Sequence, residues 1–295
     1  MSIFSQELAA DWKTSIEKHV GKTTEINRVS IVGGGSINDA RRIETSEGSY
    51  FAKINQAKDF PGMFEAESEG LLFLKEQSSF NIPEPLDTGI TGETQWILME
   101  NINSKSKQKD FWETFGRRLA EMHRKEGEYF GLDYDNYLGS LTQKNDKRET
   151  WHEFFGEMRI KPQLEKAEEQ GLASKEMQRL FDKFFSRIEK YFPKEHPAPI
   201  HGDLWTGNFM TDSKGEAVIF DPAVYYGHRE MDLGMSKLFG GFDERFYASY
   251  HECFPLEPGW EERINIANLY PLLAHLNLFG GSYASQVMNI LRKYI

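Results

Sequence analysis

The chain has 295 residues, 39% hydrophobic and 27% charged, ample apolar material for sizeable cores in a two-lobed fold. Its formal net charge of −11 argues against nucleic acid or an anionic membrane as a main partner, because polyanions demand a basic surface. A single cysteine, Cys253, leaves no intrachain disulfide framework and points to a reducing, cytoplasmic compartment. The segment Met1 to Trp12 carries Glu7 and Asp11 and lacks the basic start and apolar core of a signal peptide. No run approaches the roughly 18 apolar residues of a membrane span.

Residues 1 to about 101 read as a small α+β lobe: one helix at the start, several alternating strands and a second helix. Ser30-Ile31-Val32 leads as a strand into Gly33-Gly34-Gly35-Ser36-Ile37-Asn38, whose glycines would let backbone lie close over phosphates. Taken alone, such a run is more often an ordinary loop. Ser49 to Ile54 alternates like a strand with Lys53 as its only charge, placed to reach the α- and β-phosphates of a nucleotide. The helical pattern from Met63 to Leu74 supplies a carboxylate partner. Glu67 shares the apolar stripe of Phe64 and Leu71, whereas Glu65 and Glu69 point elsewhere. A partly buried Lys53 without that counter-charge would be costly. Gln95 to Glu100 reads as a strand, and the polar Asn101 to Asp110 follows it as either a hinge or a plain interstrand loop. As a hinge, Met99, Glu100, Asn101 and Ile102 would meet the adenine edge.

From Phe111 onward helical spacing dominates. Phe111, Phe115, Leu119 and Met122 mark one helix, Trp151, Phe154, Phe155 and Met158 another. Met177, Leu180, Phe181, Phe184, Phe185 and Ile188 mark a third, and these aromatic stripes read as core. Glu165 to Glu169 reads as a solvated helix face, and Cys253 as a packing residue. The most informative stretch is His201-Gly202-Asp203-Leu204-Trp205-Thr206-Gly207-Asn208, followed by the apolar run Ala217 to Phe220 and Asp221-Pro222. Asn208 lies five residues after Asp203, and Asp221 eighteen after it. Protein kinases space a proton-accepting Asp, a metal-binding Asn and a metal-binding Asp in this way. Asp203 is thus the candidate base, and Asn208 and Asp221 the candidate Mg²⁺ ligands, since Mg²⁺ takes oxygen donors and keeps several waters. The alternative is a polar turn before a hairpin strand, with Asp203 and Asn208 as turn formers.

The whole pattern resembles the fructosamine kinase (ketosamine-3-kinase) family, within the wider aminoglycoside-phosphotransferase-like and choline-kinase-like group. The match is carried by Gly33 to Ile37, Phe51 to Asn55, Met63 to Glu67, Leu138-Gly139-Ser140 and Trp151 to Phe155. It continues through His201 to Asn208, Asp221 to Gly227, Arg229 to Leu233, and His275 to Gly280. The resemblance implies an α+β, bilobal, protein-kinase-like fold. Its β-rich nucleotide-binding lobe would span 1–101, and its mainly helical catalytic and substrate lobe 102–295. It implies ATP in the interlobe cleft, with phosphates on the Gly33, Gly34, Gly35 and Ser36 turn and on Lys53. The implied reaction moves the γ-phosphate to the 3-hydroxyl of a free or protein-bound ketosamine, fructosamine or ribulosamine, a deglycation step. Trp205, where related antibiotic and choline kinases tend to carry His or another residue, would line the sugar site. Lys147 stands where the family often carries a second Trp, and His228 where many relatives have Asp.

Other polar residues also bear on the site. Glu230 and Asp232, in a polar turn after Asp221, would orient the catalytic loop or touch the substrate amine. His201 would brace the loop through backbone hydrogen bonds, and His123 reads as a packed structural residue. The competing readings are a kinase for choline, ethanolamine or an aminoglycoside, and a nucleotide-binding scaffold without catalysis. Trp205 argues against the first, and the joint presence of Lys53, Glu67, Asp203, Asn208 and Asp221 against the second.

Overall fold

The structure, a computed structural model, describes residues 5–33 and 37–295. These form two compact units, one of residues 1–76, 80–108 and 210–220, the other of 77–79, 109–209 and 221–295, within the described range. The expected boundary at 101/102 falls inside the first unit, which also recruits a distant segment.

In the first unit, helix α1 (Gln6–Val20) is capped by Ser5, whose hydroxyl accepts from Leu8 N–H at 3.1 Å. It stops at Gly21, which takes the left-handed conformation a C-terminal cap requires. Leu8, Trp12 and Ile16 sit on one face at helical spacing and pack on Ile43, Tyr50, Ala52, Ile54, Trp96 and Leu98. Each fully buried side chain of this kind contributes about 1.5–3 kcal/mol. The receiving sheet is antiparallel, in the order β1-β2-β3-β5-β4. Its strands are β1 (Ile26–Val32), β2 (Asp39–Thr45), β3 (Gly48–Gln56), β4 (Pro85–Thr91) and β5 (Thr94–Glu100). Because side chains alternate along a strand, Tyr50, Ala52 and Ile54 face α1 while Lys53 and Asn55 face the other side. Helix α2 (Met63–Gln77), between β3 and β4 in the chain, brings Glu67 to that side.

The second unit opens with α3 (Phe111–His123) and a two-stranded sheet of β6 (Asn136–Leu138) and β7 (Leu141–Gln143). The helix expected through Trp151 and Met158 is present and continuous, but its middle is wound more widely. Four residues of α4 (Trp151–Phe154) pass into a π-helical run, Phe155–Ile160, before α5 (Lys161–Glu169) resumes. Helix α6 (Lys175–Phe185) ends before Ile188, which lies in a separate 3₁₀ turn. Strand β8 (Ala198–Ile200) follows. Next come β9 (Phe209–Thr211) and β10 (Ala217–Ile219), which pair with each other, and β11 (Tyr225–Gly227). Residues 210–220 count with the first unit because Val218 bridges Asn81, and Asp212 and Gly215 carbonyls accept from Lys105 and Gln108 N–H. β8 and β11 pair antiparallel, Tyr225 opposite Ile200. The loop after β8 and the residues before β11 are therefore held side by side. Helices α7 (Glu230–Leu238), α8 (Glu244–Cys253), α9 (Trp260–Ala267), α10 (Leu269–Phe279) and α11 (Ser282–Tyr294) complete the unit. Gly116 lets α3 lie against α8, since a Cβ there would meet Phe246 O at 2.2 Å.

Candidate active site

The loop leaving β8 turns at Gly202, whose φ of 82° is left-handed. A Cβ there would come within 2.0 Å of Ala223 O, so backbone packs on backbone at this point. Ala223 N–H in turn donates to His201 O at 2.9 Å. Asp203 follows, its N–H donating to His201 Nδ1 at 3.2 Å. Asn208 Nδ2 reaches back to Asp203 O at 2.9 Å and Oδ2 at 2.8 Å, and more loosely to Asp221 O at 3.5 Å. Asp203, Asn208 and Asp221 thus converge within the second unit. Loss of water around Asp203, assisted by the negative charges of Asp221 and Asp232, pushes its carboxyl up to about 7 against the lowering pull of Asn208. A carboxylate of that basicity is suited to accepting a proton near neutral pH. Asp221 has a φ of 55°, the one positive value outside glycine among the described residues. Such strain persists only where neighbours over-determine the backbone, and it concentrates at functional sites.

The donor set fits a magnesium ion. With its amide hydrogens committed to Asp203 and Asp221 oxygens, Asn208 would offer Oδ1 to a cation. Asp221 adds a carboxylate. Two such oxygens suffice for Mg²⁺, which retains several waters. Among the described residues no three His, Cys, Asp or Glu side chains gather as a metal cage.

Asp232 supports the loop from beneath. Fully buried on α7, it accepts from His201 N–H at 2.7 Å and Gly202 N–H at 2.9 Å, and lies 3.2 Å from His123 Nε2. Burial works against its charge, but His123 and the His201 N–H hold its carboxyl below the ordinary value. His123 Nδ1 meets Tyr250 OH at 2.8 Å, which anchors this chain of contacts in α8. Glu230 has no exposed surface either, and Arg263 clasps both its oxygens at 2.6–3.1 Å. Of the two roles expected of Glu230 and Asp232, Asp232 takes the first, orienting the catalytic loop, and contact with the substrate amine is corrected for both. Neither carboxylate reaches solvent, and both lie in the first turn of a helix rather than in a polar turn.

Trp205 lies over Gly207, where a Cβ would sit 2.4 Å from its ring, and makes an edge contact with Phe239 at 5.7 Å. Phe239 continues to His275 at 4.8 Å, and His275 to Phe279 and Tyr283 at 5.5 and 5.2 Å. Sequence reasoning did not assign Phe239 to the site. Its signal lay in α10, where His275 and Phe279 fall one helical turn apart. Lys147 pairs with Asp133 and lies 3.8 Å from the centre of the Tyr129 ring. His228 is buried against Trp151 and Phe192, at 5.8 and 5.1 Å.

The first unit holds its own polar set. Lys53 Nζ lies 2.6 Å from Glu67 Oε1, both side chains about nine-tenths buried. On the same face Asn55 donates to Asn38 Oδ1 at 2.8 Å, and Gln95 donates to Asn55 Oδ1 at 2.5 Å, tying the end of the glycine-rich turn to β3 and β5. Sequence reasoning gave Asn38, Asn55 and Gln95 no role of their own, although Asn55 is two positions from Lys53 in a strand and so shares its face. Gly33 directly follows β1, and Gly34, Gly35 and Ser36 lie outside the described residues. Met99 is buried, and Glu100 N–H is already donated to Glu84 O at 2.9 Å. As a hinge, the segment would offer its donor from further along, at Asn101 or Ile102, both half-buried. Among the described residues no helix is long and apolar enough to cross a membrane.

Comparison with known proteins agrees on one family. The fructosamine kinase family model matches residues 8–295. A probable ketoamine kinase of Enterococcus faecium is 43% identical over 90% of this chain and 95% of that protein. The chloroplastic protein-ribulosamine 3-kinase of Arabidopsis thaliana is 37% identical over 100% of this chain and 90% of its own. A crystal structure from Haemophilus somnus, provisionally named a fructosamine-3-kinase, superposes with a TM-score of 0.87 at 29% identity over 96% of both chains. An aminoglycoside phosphotransferase, APH(4)-Ia, in complex with ADP and hygromycin B, reaches a TM-score of 0.62 at 13% identity, a likeness of fold.

Proposed function

Because this chain belongs to the fructosamine kinase family, we propose that it transfers the γ-phosphoryl group of ATP to the 3-hydroxyl of a ketosamine, free or protein-bound. The observation that carries this reading is the convergence of Asp203, Asn208 and Asp221 at the paired ends of β8 and β11. Phosphoryl transfer asks for positioning and charge neutralisation more than covalent help. Asp203 accepts the proton as the substrate hydroxyl oxygen bonds to the γ-phosphorus; the bond from that phosphorus to the β,γ-bridging oxygen breaks, and ADP leaves. Asn208 and Asp221 hold Mg²⁺, which when bound neutralises phosphate charge. Lys53, fixed by Glu67, takes the α- and β-phosphates. Backbone at Asn101 and Ile102 takes the adenine edge. Trp205 and the ring row behind it give the sugar and its amine substituent a flat apolar wall. The 3-phosphate then weakens the sugar–amine adduct and returns the amine. A single half-buried cysteine supports a reducing, cytoplasmic setting.

Incubation with ATP, Mg²⁺ and a panel of fructose- and ribulose-derived ketosamines, alongside choline, ethanolamine and aminoglycosides, tests the assignment. Mass spectrometry should find one added phosphate on ketosamines alone. Phosphate appearing only on the other amines, or on nothing, overturns it.

A further inference from the structure

Arg159 is among the largest side chains with no exposed surface, and none of its hydrogen-bond acceptors among the described residues is a carboxylate. A buried charge in that state is costly. Its guanidinium is instead held by acceptors of other kinds. Nη1 donates to Lys144 O at 2.5 Å and Met158 O at 3.1 Å, and Nη2 to Asn145 Oδ1 at 2.7 Å. The cation also lies 3.9 Å from the centre of the Tyr225 ring and 4.5 Å from that of Phe154. It projects from the π-helical run, where Lys161 N–H closes an i→i+5 bond to Gly156 O. Such runs are rare and recur at functional sites.

What Arg159 touches has a direction. A guanidinium only donates, so Asn145 must turn its oxygen towards Arg159 and its Nδ2 away. That Nδ2 donates to Asn136 Oδ1 at 3.0 Å, which fixes the second amide in turn. Asn136 Nδ2 then donates to Val224 O at 2.8 Å. Gln143 joins at the same oxygen, donating to Asn136 Oδ1 at 2.7 Å and Ala223 O at 3.1 Å, and accepting from Tyr270 OH at 2.7 Å. The relay thus ends on the carbonyls two and three residues beyond Asp221. Ala223 is also where the catalytic loop rests, through its N–H to His201 O and its carbonyl against Gly202. If Asn136 flipped, its oxygen would oppose the Val224 carbonyl.

We propose that Arg159 is a positioning residue for the Asp221 segment: its charge sets the polarity of an Asn145–Asn136–Gln143 amide relay that holds Ala223 and Val224, and through them the strained backbone of Asp221. The proposal rests on reading Asp221 as a magnesium ligand, and its test is arranged so that the two can fail separately.

The informative variant is Asn145→Asp. It gives Arg159 the carboxylate partner it lacks but removes the donor to Asn136. If the amides only fill space, losing that donor beside a new ion pair leaves the site unchanged. If Arg159 sets the relay, the site loosens while the fold holds. Arg159→Met and Arg159→Lys complete the set, the latter keeping charge without the forked donors. Three readouts on the full chain apply: thermal unfolding, amide exchange across residues 218–226 without ligands, and Mn²⁺ binding with a non-hydrolysable ATP analogue. Asn145→Asp is expected to unfold no earlier than wild type, to exchange faster at Ala223 and Tyr226, and to bind Mn²⁺ roughly tenfold more weakly, the scale of groups that orient metal ligands. Arg159→Met should show the same loosening, and Arg159→Lys should recover only part of it. Wild-type Mn²⁺ affinity and exchange in Asn145→Asp overturn the relay even if the wild-type enzyme phosphorylates ketosamines. Faster exchange at Ala223 in Asn145→Asp, beside a wild-type chain that phosphorylates no ketosamine, leaves the relay standing and removes the ketosamine reading. Should Arg159→Met fail to fold, Asn145→Asp decides.

Discussion

Asp203 combines two demands that pull against each other. It must be basic enough to take a proton and yet remain ionised long enough to do so. Its surroundings raise the carboxyl to about 7, while the Asn208 amide keeps one oxygen engaged. Replacing it with Asn removes the proton acceptor but little volume. Asp203→Asn is expected to bind ATP normally and lose about 10²–10⁴-fold in turnover, the usual scale for a general base. Single-turnover phosphate transfer beside equilibrium nucleotide binding checks this, and near-normal turnover would remove Asp203 from the role. Lys53 and Glu67 work on a different principle. Removing either member of this pair is costly, because breaking a buried ion pair costs about 3–5 kcal/mol.

At the scale of elements, the site depends on the β8–β11 pairing bringing His201 and Ala223 together with no room for a side chain between them. Gly202→Ala tests that pairing. The left-handed backbone alone costs an L-residue about 1–2 kcal/mol, and the Cβ would also strike Ala223 O, which is backbone and cannot swing aside. The variant should melt earlier than wild type and lose turnover together with metal affinity, measurable by calorimetry and Mn²⁺ titration. Wild-type melting in Gly202→Ala would mean that the two loops can separate freely. The elements also explain what could be read from the chain beforehand. Asp203, Asn208 and Asp221 fall within one strand–loop–hairpin–strand passage, so their spacing carries their geometry. Lys53 and Glu67 were legible because strand and helix periods each select a face. That Asp232 orients the loop was legible, but the burial of Glu230 and Asp232 was not, because their partners, Arg263 and His123, are 33 and 109 residues away and nothing local announces it. Arg159 stayed hidden for a related reason. A charge in a helical pattern reads as solvent-facing, and the π-helical run displaces the 3.6-residue period that would have placed it. Residues 210–220 join the first unit through Asn81 and Lys105, contacts that no local pattern encodes.

For the molecule as a whole, buried ionisable groups of opposite sense make stability a balance of protons. His228 has no exposed surface. Burial, helped by Arg229 and Arg263 and opposed by Glu195 at 3.7 Å, lowers it from 6.5 to about 4. The folded chain therefore refuses a proton that the unfolded chain accepts. The stability this contributes is fully present above pH 6.5 and is lost as pH falls towards 4. The loss approaches about 3 kcal/mol at 1.36 kcal/mol per pH unit. His123 is lowered for the same reason and adds loss of the same sign. Asp203 opposes both. Because its folded value is raised, the folded chain takes up a proton below about pH 7 that the unfolded chain declines until near 3.8, so acidification across that window relieves strain. Wild-type stability between pH 7 and 4 is consequently a difference between opposing terms. His228→Gln removes one of them. Its unfolding free energy at pH 4 relative to pH 7 should exceed the wild-type difference by up to about 3 kcal/mol, whatever the substitution does to absolute stability. Asp203→Asn should shift the same difference the opposite way. Urea unfolding of the three proteins at both pH values measures it, and parallel pH profiles for wild type and His228→Gln would show that His228 is not held neutral in the folded chain.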